Sequence, residues 1–212
     1  MPDTRFDQPP FTVEELTVHY GPVELQRPMT REAFVELTER YPNLAVERDA
    51  DGAVTIMAAL KKGSGRRESR LHGLLFIWNL QYGHGEVFGP NGTYDLPDGA
   101  TKMPDASWIS PERLATVTDD DEEAFIRVVP DFVAEIRSQS DNLQKLQAKM
   151  TDNWMASGVR LAWLIDPYEE KAYVYAPGEA VRVVQGFADE VLSGEAVMPG
   201  FELSLREMMR KV

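Results

Sequence analysis

The segment PDFVAEIRSQS, residues 130–140, has the composition of a buried β-strand and yet carries Glu135 and Arg137. Because side chains alternate between the two faces of a strand, Val133 lies on the same face as both charged residues. The opposite face carries Phe132, Ala134 and Ile136. The segment therefore predicts a strand with one face in the core and one charged face. A surface ion pair explains this pattern as well as a functional carboxylate does.

Segments of helical and of strand periodicity follow one another along the chain. Thr30 is an N-cap for a helix predicted over 31–41, and Asp51-Gly52 predicts the turn of a β-hairpin. Apolar stripes predict two further helices, over 69–82 and 141–156. A closing helix is predicted over 203–211, and strands are predicted within 85–96, 103–110, 130–140, 159–166, 171–178 and 180–187.

This order of elements predicts an α/β (mixed α+β) fold in which a mixed central β-sheet is flanked by helices. The first helix and hairpin form an N-terminal helix-hairpin extension. Residues 1–27 combine several prolines with no clear periodicity, which predicts an extended N-terminal arm. A chain of 212 residues can bury one sizeable core and no linker divides it, so residues 28–212 are predicted to form a single domain.

Composition limits the possible functions. The chain has no cysteine, which excludes disulfides, thiolate metal sites and thiol redox catalysis and fits a reducing cytoplasm. Its first residues are acidic and proline-rich, unlike a signal peptide, and no apolar run reaches membrane-spanning length. We therefore expect a cytoplasmic protein with no membrane partner.

The net charge of −13 argues against a surface that is basic overall, but one stretch is basic locally. The stretch KKGSGRRESR predicts a loop whose cations are candidates for nucleic-acid binding: Lys61, Lys62, Arg66, Arg67 and Arg70. Acidic residues collect instead at 118–125. Both charged runs are also typical of solvated loops, so charge by itself identifies no partner.

The sequence lacks a Gly-Lys-Ser/Thr phosphate loop, a G-x-S-x-G elbow and an H-E-x-x-H motif, but it offers a pair of carboxylates. Asp105 lies in the strand segment PDASW and Glu135 in a later one. Neighbouring strands lie about 4.8 Å apart, so two such carboxylates can share one divalent cation. Hard oxygen ligands suit Mg²⁺ or Mn²⁺, which can activate water for attack on phosphorus. Glu68 is a third candidate metal ligand, or it interacts with its helix dipole.

Phosphoryl chemistry also needs a positive side chain that stabilises charge on the phosphate, and the sequence offers two. Arg137 shares the face of Glu135, but it stays protonated and cannot act as a base. Lys149 lies on the following helix at the margin of the apolar stripe, where a long side chain can turn back toward the sheet. That stripe consists of Leu143, Leu146, Met150 and Trp154.

A series of motifs extends through most of the chain. Upstream these are PMTREAF, GAVTIM and GEVFGPNGTYDLPDG, and downstream they are Pro104-Asp105, Pro130-Asp131 with Glu135, Ser138–Ser140, Lys149, Gly158-Val159 and Trp163–Pro167. The series resembles the Uma-type restriction endonuclease family within the PD-(D/E)XK nuclease superfamily. The resemblance covers residues 28–205.

The resemblance implies a restriction endonuclease-like core in which Asp105 and Glu135 bind the metal and Lys149 is the displaced lysine of the superfamily motif. It implies Mg²⁺ or Mn²⁺ as cofactor and DNA as substrate. A homodimer or higher homo-oligomer is expected, since such folds commonly cut both strands as dimers. Two positions depart from the family pattern: Arg137 stands where the motif lysine usually lies, and Glu68 stands where many relatives have a polar neutral residue.

Two functions of different classes follow. The first is a divalent-metal-dependent endonuclease that hydrolyses phosphodiester bonds in DNA, with Asp105, Glu135, Lys149 and Arg137 as catalytic residues. The alternative is a catalytically inactive nuclease fold that serves as a binding or assembly module, which the acidity of the chain and Arg137 would fit. A third possibility is an acidic surface that mimics DNA. Asp131, four residues before Glu135, is predicted to be structural.

Overall fold

A computed structural model of the chain describes residues 13, 17, 21–57, 61–117, 124–194 and 197–210. The helices are α1 (Arg31–Arg40), α2 (Lys62–Trp78), α3 (Pro111–Leu114), α4 (Leu143–Ala148) and α5 (Leu205–Met209). Two π-helical segments, Asn79–Gly83 and Lys149–Met155, continue α2 and α4. The strands are β1 (Val23–Leu25), β2 (Val46–Arg48), β3 (Val54–Ile56), β4 (Glu86–Phe88), β5 (Tyr94–Asp95), β6 (Thr101–Lys102), β7 (Ala106–Ile109), β8 (Phe132–Ile136), β9 (Leu161–Asp166), β10 (Lys171–Tyr175), β11 (Arg182–Gln185), β12 (Val191–Ser193) and β13 (Glu202–Ser204).

The central sheet has six strands in the order β11-β10-β9-β8-β7-β4. Strands β8 and β9 are parallel, and α4 with its π-helical continuation forms the crossover between them. The other neighbouring strands are antiparallel. One face packs against α2 through Leu71, Leu75 and Trp78, and the other packs against Met150 and Trp154. This arrangement is the predicted mixed sheet flanked by helices.

Strand β8 is buried on both faces, which corrects the expectation of one charged face. Val133 is fully buried and the exposed fraction of Glu135 is only 5%. The physical reason is that helices cover both sides of the sheet, so its central strands have no solvent-facing side. Glu135 is therefore a buried carboxylate, which is costly unless it is paired.

The N-terminal half contributes a second sheet, with five strands in the order β1-β3-β2-β6-β5. Strands β2 and β3 form the predicted hairpin around Asp51-Gly52. Gly52 has a φ of +92°, and a Cβ there would lie 2.8 Å from the carbonyl oxygen of Met29. Helix α1 begins after Thr30, whose hydroxyl accepts a hydrogen bond from the N–H of Ala33. The helix-hairpin extension is thus present as predicted.

The predicted arm lies partly within this second sheet. Val23–Leu25 form β1 and pair with β3, whereas residues 1–12, 14–16 and 18–20 lie outside the described residues, as does most of the acidic run at 118–125. The division of the chain into an arm over 1–27 and a single domain over 28–212 stays a prediction.

Helix α2 begins at Lys62 rather than at 69, so the stretch predicted as a basic loop is helical. Two glycines in this stretch lower the helix propensity. Ser64, Arg67 and Glu68 are nevertheless buried, and their tertiary contacts outweigh the local preference. The basic residues therefore project from the first turns of a helix.

Two other predicted helices have different boundaries. The helix predicted over 141–156 begins at Leu143, because Asn142 caps it by accepting a hydrogen bond from the N–H of Lys145. The closing helix predicted over 203–211 is shortened to α5, because its first residues belong to β13 and pair with β12. Across the part of the chain that the structure describes, no helix is both long and apolar enough to cross a membrane.

Candidate functional site

Asp105 and Glu135 lie side by side at one end of the central sheet. Strands β7 and β8 pair with Ala106 opposite Ala134, and continuing this antiparallel register by one residue places Asp105 opposite Glu135. The backbone N–H of Ile136 donates a hydrogen bond of 2.6 Å to Asp105 Oδ2. The two predicted metal ligands are thus brought together by strand pairing.

Lys149 turns back toward the sheet and contacts Glu135. Its Nζ lies 2.8 Å from Glu135 Oε1 and 2.6 Å from Glu47 Oε1, and it donates a hydrogen bond of 2.8 Å to the carbonyl oxygen of Met103. Burial lowers the pKa of Lys149, but the carboxylates of Glu135 and Glu47 outweigh burial and raise it above its ordinary value. Lys149 is therefore a fixed positive charge at neutral pH.

The π-helical segment explains how two side chains of one helix reach the same carboxylate. Trp154 Nε1 donates a hydrogen bond of 3.1 Å to Glu135 Oε1, the atom that Lys149 also contacts. Two side chains five residues apart point in different directions from an α-helix. In a π-helical segment, i→i+5 hydrogen bonds bring such side chains onto the same side. The N–H of Ala156 accordingly donates to the carbonyl oxygen of Thr151. The π-helical turn thus aligns Lys149 with Trp154.

Sequence reasoning missed Glu47, which β2 brings from the N-terminal sheet. Its exposed fraction is 5%, and the N–H of Met103 donates a hydrogen bond of 3.0 Å to its Oε1. Lys102 Nζ lies 3.6 Å from its Oε2. Burial raises the pKa of Glu47, but Lys149 and Lys102 outweigh burial and lower it. Its only sequence signal is a charged residue in a short strand, which is too common to identify a site.

Burial and mutual repulsion raise the pKa values of three acids at this site. Burial is the main cause for Asp105, and the charges of Glu135 and Glu68 add to it. Burial raises the pKa of Glu135 although Lys149 opposes it. Burial and then the charge of Glu135 raise the pKa of Glu68 to about 7. A divalent cation would relieve this repulsion, because opposite charge favours the ionised carboxylates.

Arg137, a predicted catalytic residue, is engaged elsewhere. Its Nη1 lies 2.7 Å from Asp166 Oδ2, its Nε donates to the carbonyl oxygen of Asp141, and its guanidinium lies 5.8 Å from the ring centre of Tyr168. Asp166 therefore neutralises this charge. The described contacts of Arg137 include neither Glu135 nor Lys149.

The five predicted DNA-contacting cations occupy different environments. Lys61 and Lys62 are exposed at the start of α2. Arg70 instead donates hydrogen bonds of 3.0 and 3.1 Å to the carbonyl oxygens of Glu207 and Met208. Its guanidinium therefore caps the C-terminal end of α5. Arg67 is buried, and the Nε atoms of Arg66 and Arg67 are buried without a hydrogen-bond partner. The role of these five cations in nucleic-acid binding stays a prediction.

The donor atoms suit a hard divalent cation. Mg²⁺ in proteins is commonly held by one or two carboxylates, with water and substrate phosphates completing its coordination. Asp105 and Glu135 supply such a pair of carboxylates. Among the described ranges, no group of three or more His, Cys, Asp or Glu side chains could hold a metal ion, so Glu68 is not arranged as a third ligand. The residues present fit a site made of two carboxylates.

The chain is similar to one protein family and to solved structures. The family model "Uma2: Putative restriction endonuclease" matches residues 31–206. A crystal structure described as "a putative nuclease belonging to DUF820" from Anabaena variabilis is 22% identical, with a TM-score of 0.71 over 86% of this chain and 98% of that chain. A complex of DrdV with DNA is 19% identical, with a TM-score of 0.37 over 57% of this chain and 10% of that chain. No curated protein matches.

The Anabaena structure matches along nearly its whole length, which confirms the predicted mixed α+β fold. The family match begins at the first residue of α1 and ends within α5, so it includes the six-stranded sheet, the five-stranded sheet except β1, and the carboxylate pair. The family match also confirms the resemblance to the Uma-type family that the sequence motifs indicated. The chain belongs to the Uma2 family, whose members are described as putative restriction endonucleases.

Proposed function

We propose that the protein is a divalent-metal-dependent endonuclease that hydrolyses phosphodiester bonds in DNA. The observation that carries this proposal is the position of Lys149 Nζ, 2.8 Å from Glu135. The pairing of β7 with β8 sets Asp105 beside that glutamate. An acidic pair with an adjacent fixed cation can bind a metal and a phosphate together. Membership of a family of putative restriction endonucleases supports the same reaction class.

In this proposal Asp105 and Glu135 hold Mg²⁺ or Mn²⁺ through carboxylate oxygens. When bound, such a cation supplies Lewis acidity and lowers the pKa of a bound water. Lys149 is protonated, so it stabilises negative charge on the phosphate and does not act as a base. Glu47 is a positioning residue, because it binds the ammonium group of Lys149 from the other sheet.

Cleavage of supercoiled plasmid DNA with Mg²⁺ or Mn²⁺ tests the proposal. Asp105→Asn, Glu135→Gln and Lys149→Met should each lower the cleavage rate by roughly 100-fold or more, since the first two weaken metal binding and the third removes the charge that stabilises the phosphate. Glu39→Gln, at an exposed position on α1, is the matched control and should cleave normally. Full activity of Glu135→Gln would rule out the assignment.

The alternative, a catalytically inactive binding or assembly module, is favoured by one observation. The three N–H donors of Lys149 have three acceptors, Glu135, Glu47 and Met103, so a phosphate must displace one of them. Calorimetric titration with Mn²⁺ discriminates the two functions. The endonuclease predicts binding that Asp105→Asn abolishes, whereas an inactive module need not bind metal at this pair.

The proposal extends to partners and location. DNA is the proposed substrate, and a homodimer or higher homo-oligomer is proposed so that both strands can be cut. A cytoplasmic location stays a prediction from composition. Plasmid linearisation in one binding event, without accumulation of nicked circles, would support a dimer that cuts both strands.

A further inference from the structure

Arg67 is a buried cation that forms no salt bridge within the described residues. Its exposed fraction is 7%, and its Nε is buried with no hydrogen-bond partner. Within the described residues its polar contacts are a hydrogen bond of 3.3 Å from Nη2 to Ser64 Oγ and the ring of Tyr168, whose centre lies 5.9 Å from the guanidinium. Glu68 feels the charge of Arg67, but Nε remains a buried donor without an acceptor, which a bound anion would supply.

Neighbouring cations show that this situation is unusual at this end of the fold. Lys149 is paired with Glu135 and Glu47, and Lys102 lies 2.6 Å from Asp49. Arg137 shares the ring of Tyr168 with Arg67 but is paired with Asp166 at 2.7 Å. The charge of Arg67 lowers the pKa of Glu68, its neighbour in sequence. Arg67 alone of this group forms no salt bridge within the described residues.

The guanidinium of Arg67 folds back over the N-terminal turn of α2. A Cβ on Gly63 would lie 3.5 Å from Nη1, so the absence of a side chain leaves space beside the guanidinium. Lys61, the N-cap residue of this 17-residue helix, makes no side-chain capping hydrogen bond. A helix N-terminus attracts anions through its dipole and backbone N–H groups. The buried guanidinium adds a charge-assisted donor at that place.

Two hydroxyl groups connect this turn to the carboxylate pair. Ser64 Oγ lies 3.1 Å from Ser138 Oγ, and Ser138 comes three residues after Glu135. The N–H of Ser138 donates to Asp141 Oδ2, which holds this loop in place. Tyr168, whose ring lies against the guanidinium of Arg67, is 47% exposed. The N-terminal turn of α2 therefore lies beside the end of β8 that carries Glu135.

We propose that Arg67, Ser64 and the N-terminal turn of α2 bind a backbone phosphate of DNA next to the phosphate at the Asp105–Glu135 pair. This inference rests on the proposed endonuclease function for the identity of the ligand. Arg67 supplies N–H donors and charge, and Ser64 supplies a hydroxyl donor. Phosphates bound at this site and at the Asp105–Glu135 pair together orient the DNA strand across the carboxylates.

The first test measures anion binding without metal or DNA. The melting temperature of the wild-type protein in a chelating buffer should rise with inorganic phosphate at constant ionic strength, because a bound ligand stabilises the folded state. Arg67→Gln should remove this rise, and Arg67→Lys should restore part of it. Arg206→Gln removes a charge from an exposed position on α5 and should respond as the wild type does. An equal rise in Arg67→Gln would overturn the anion site.

The second test measures binding of a labelled DNA duplex by anisotropy in the same buffer. Arg67→Gln should weaken binding roughly tenfold to a hundredfold, and it should lower the slope of log affinity against log salt by about one. Arg206→Gln should change neither quantity. If phosphate stabilises the protein through Arg67 while DNA affinity is unchanged, the site takes a small phosphorylated molecule and the DNA assignment is overturned.

A third variant covers the case in which Arg67→Gln does not fold. Ser64→Ala removes one hydroxyl and should reduce the phosphate response, so an undiminished response would contradict the site. These binding tests contain no divalent metal, so they are independent of cleavage. Failure of the wild type to cut DNA would refute the endonuclease, whereas failure of phosphate to stabilise the wild type would refute the anion site.

Discussion

Glu47 and Glu68 are both buried, and their pKa values shift in opposite directions. Burial raises the pKa of each glutamate. At Glu47 the ammonium groups of Lys149 and Lys102 outweigh burial and lower the pKa. At Glu68 the charge of Glu135 adds to burial, and Arg67 offsets it only in part. The charges of the neighbouring groups, rather than depth in the protein, decide which of these glutamates is ionised.

The raised pKa of Glu68 predicts that the metal-free protein loses stability as the pH rises. Its pKa is about 7 in the folded protein against an ordinary value of 4.5, so the folded state binds the proton more tightly than the unfolded state. This contribution is fully present below pH 4.5 and is lost as the pH rises through about 7.

Urea unfolding in a chelating buffer between pH 4.5 and 8 measures this contribution. Glu68→Gln should flatten the decline of unfolding free energy with pH relative to the wild type. Glu39→Gln, at an exposed position on α1, should keep the decline of the wild type. A wild-type curve that rises through neutral pH by the same amount as the Glu68→Gln curve would contradict the raised pKa.

Asp131→Ala should destabilise the protein but leave the proposed catalytic residues in place. Asp131 is fully buried, its Oδ2 accepts a hydrogen bond of 2.7 Å from the N–H of Ser110, and its Oδ1 lies 3.2 Å from Arg113 and from Arg160. Removing it leaves the buried N–H of Ser110 without its acceptor, at a cost of about 1–3 kcal/mol, and takes the carboxylate from the partly exposed Arg113 and Arg160. Urea unfolding gives this cost, and cleavage per folded molecule should be retained. Unchanged stability would contradict the structural role.

At the scale of elements, the π-helical continuation of α4 positions the side chains at the site. Inserting one alanine after Thr151, which is exposed, should place Trp154 six positions after Lys149 and turn the two side chains apart. Cleavage should fall by roughly 100-fold, as for loss of a positioned charge, while the helical circular dichroism signal is retained. Thr151→Ala preserves the length and should cleave normally. Normal cleavage by the insertion variant would show that the alignment of Lys149 with Trp154 is dispensable.

Helix α2 shows why element boundaries were harder to predict than element types. Its apolar positions at Leu71, Leu75 and Trp78 identify the helix from local periodicity alone. Its first seven residues carry glycines and charges, which are typical of a loop, and become helical through burial of Ser64, Arg67 and Glu68. Such contacts with residues distant in sequence are invisible to periodicity. The type of element was thus predictable and its start was not.

At the scale of the whole molecule, the outer face of α2 and its continuation offers a contact surface for the proposed homo-oligomer. Phe76, Ile77 and Leu80 are 48%, 54% and 63% exposed. Exposed apolar clusters are commonly protein contacts. We expect the wild type to sediment as a dimer and Ile77→Lys to sediment as a monomer with unchanged circular dichroism. Glu39→Lys, on α1, is the control for added charge, and a monomeric wild type would contradict the prediction.

The sequence by itself determined the strand identities of the segments containing Asp105 and Glu135, the helix carrying Lys149, and the family. These features depend on local alternation, capping and motif order, all of which can be read along the chain. The side chains that complete the site were decided by tertiary structure alone. Glu47 reaches Lys149 across 102 residues of sequence, and Arg137 turns to Asp166. Ion pairing between distant segments follows from how sheets and helices pack, and no local spacing encodes it.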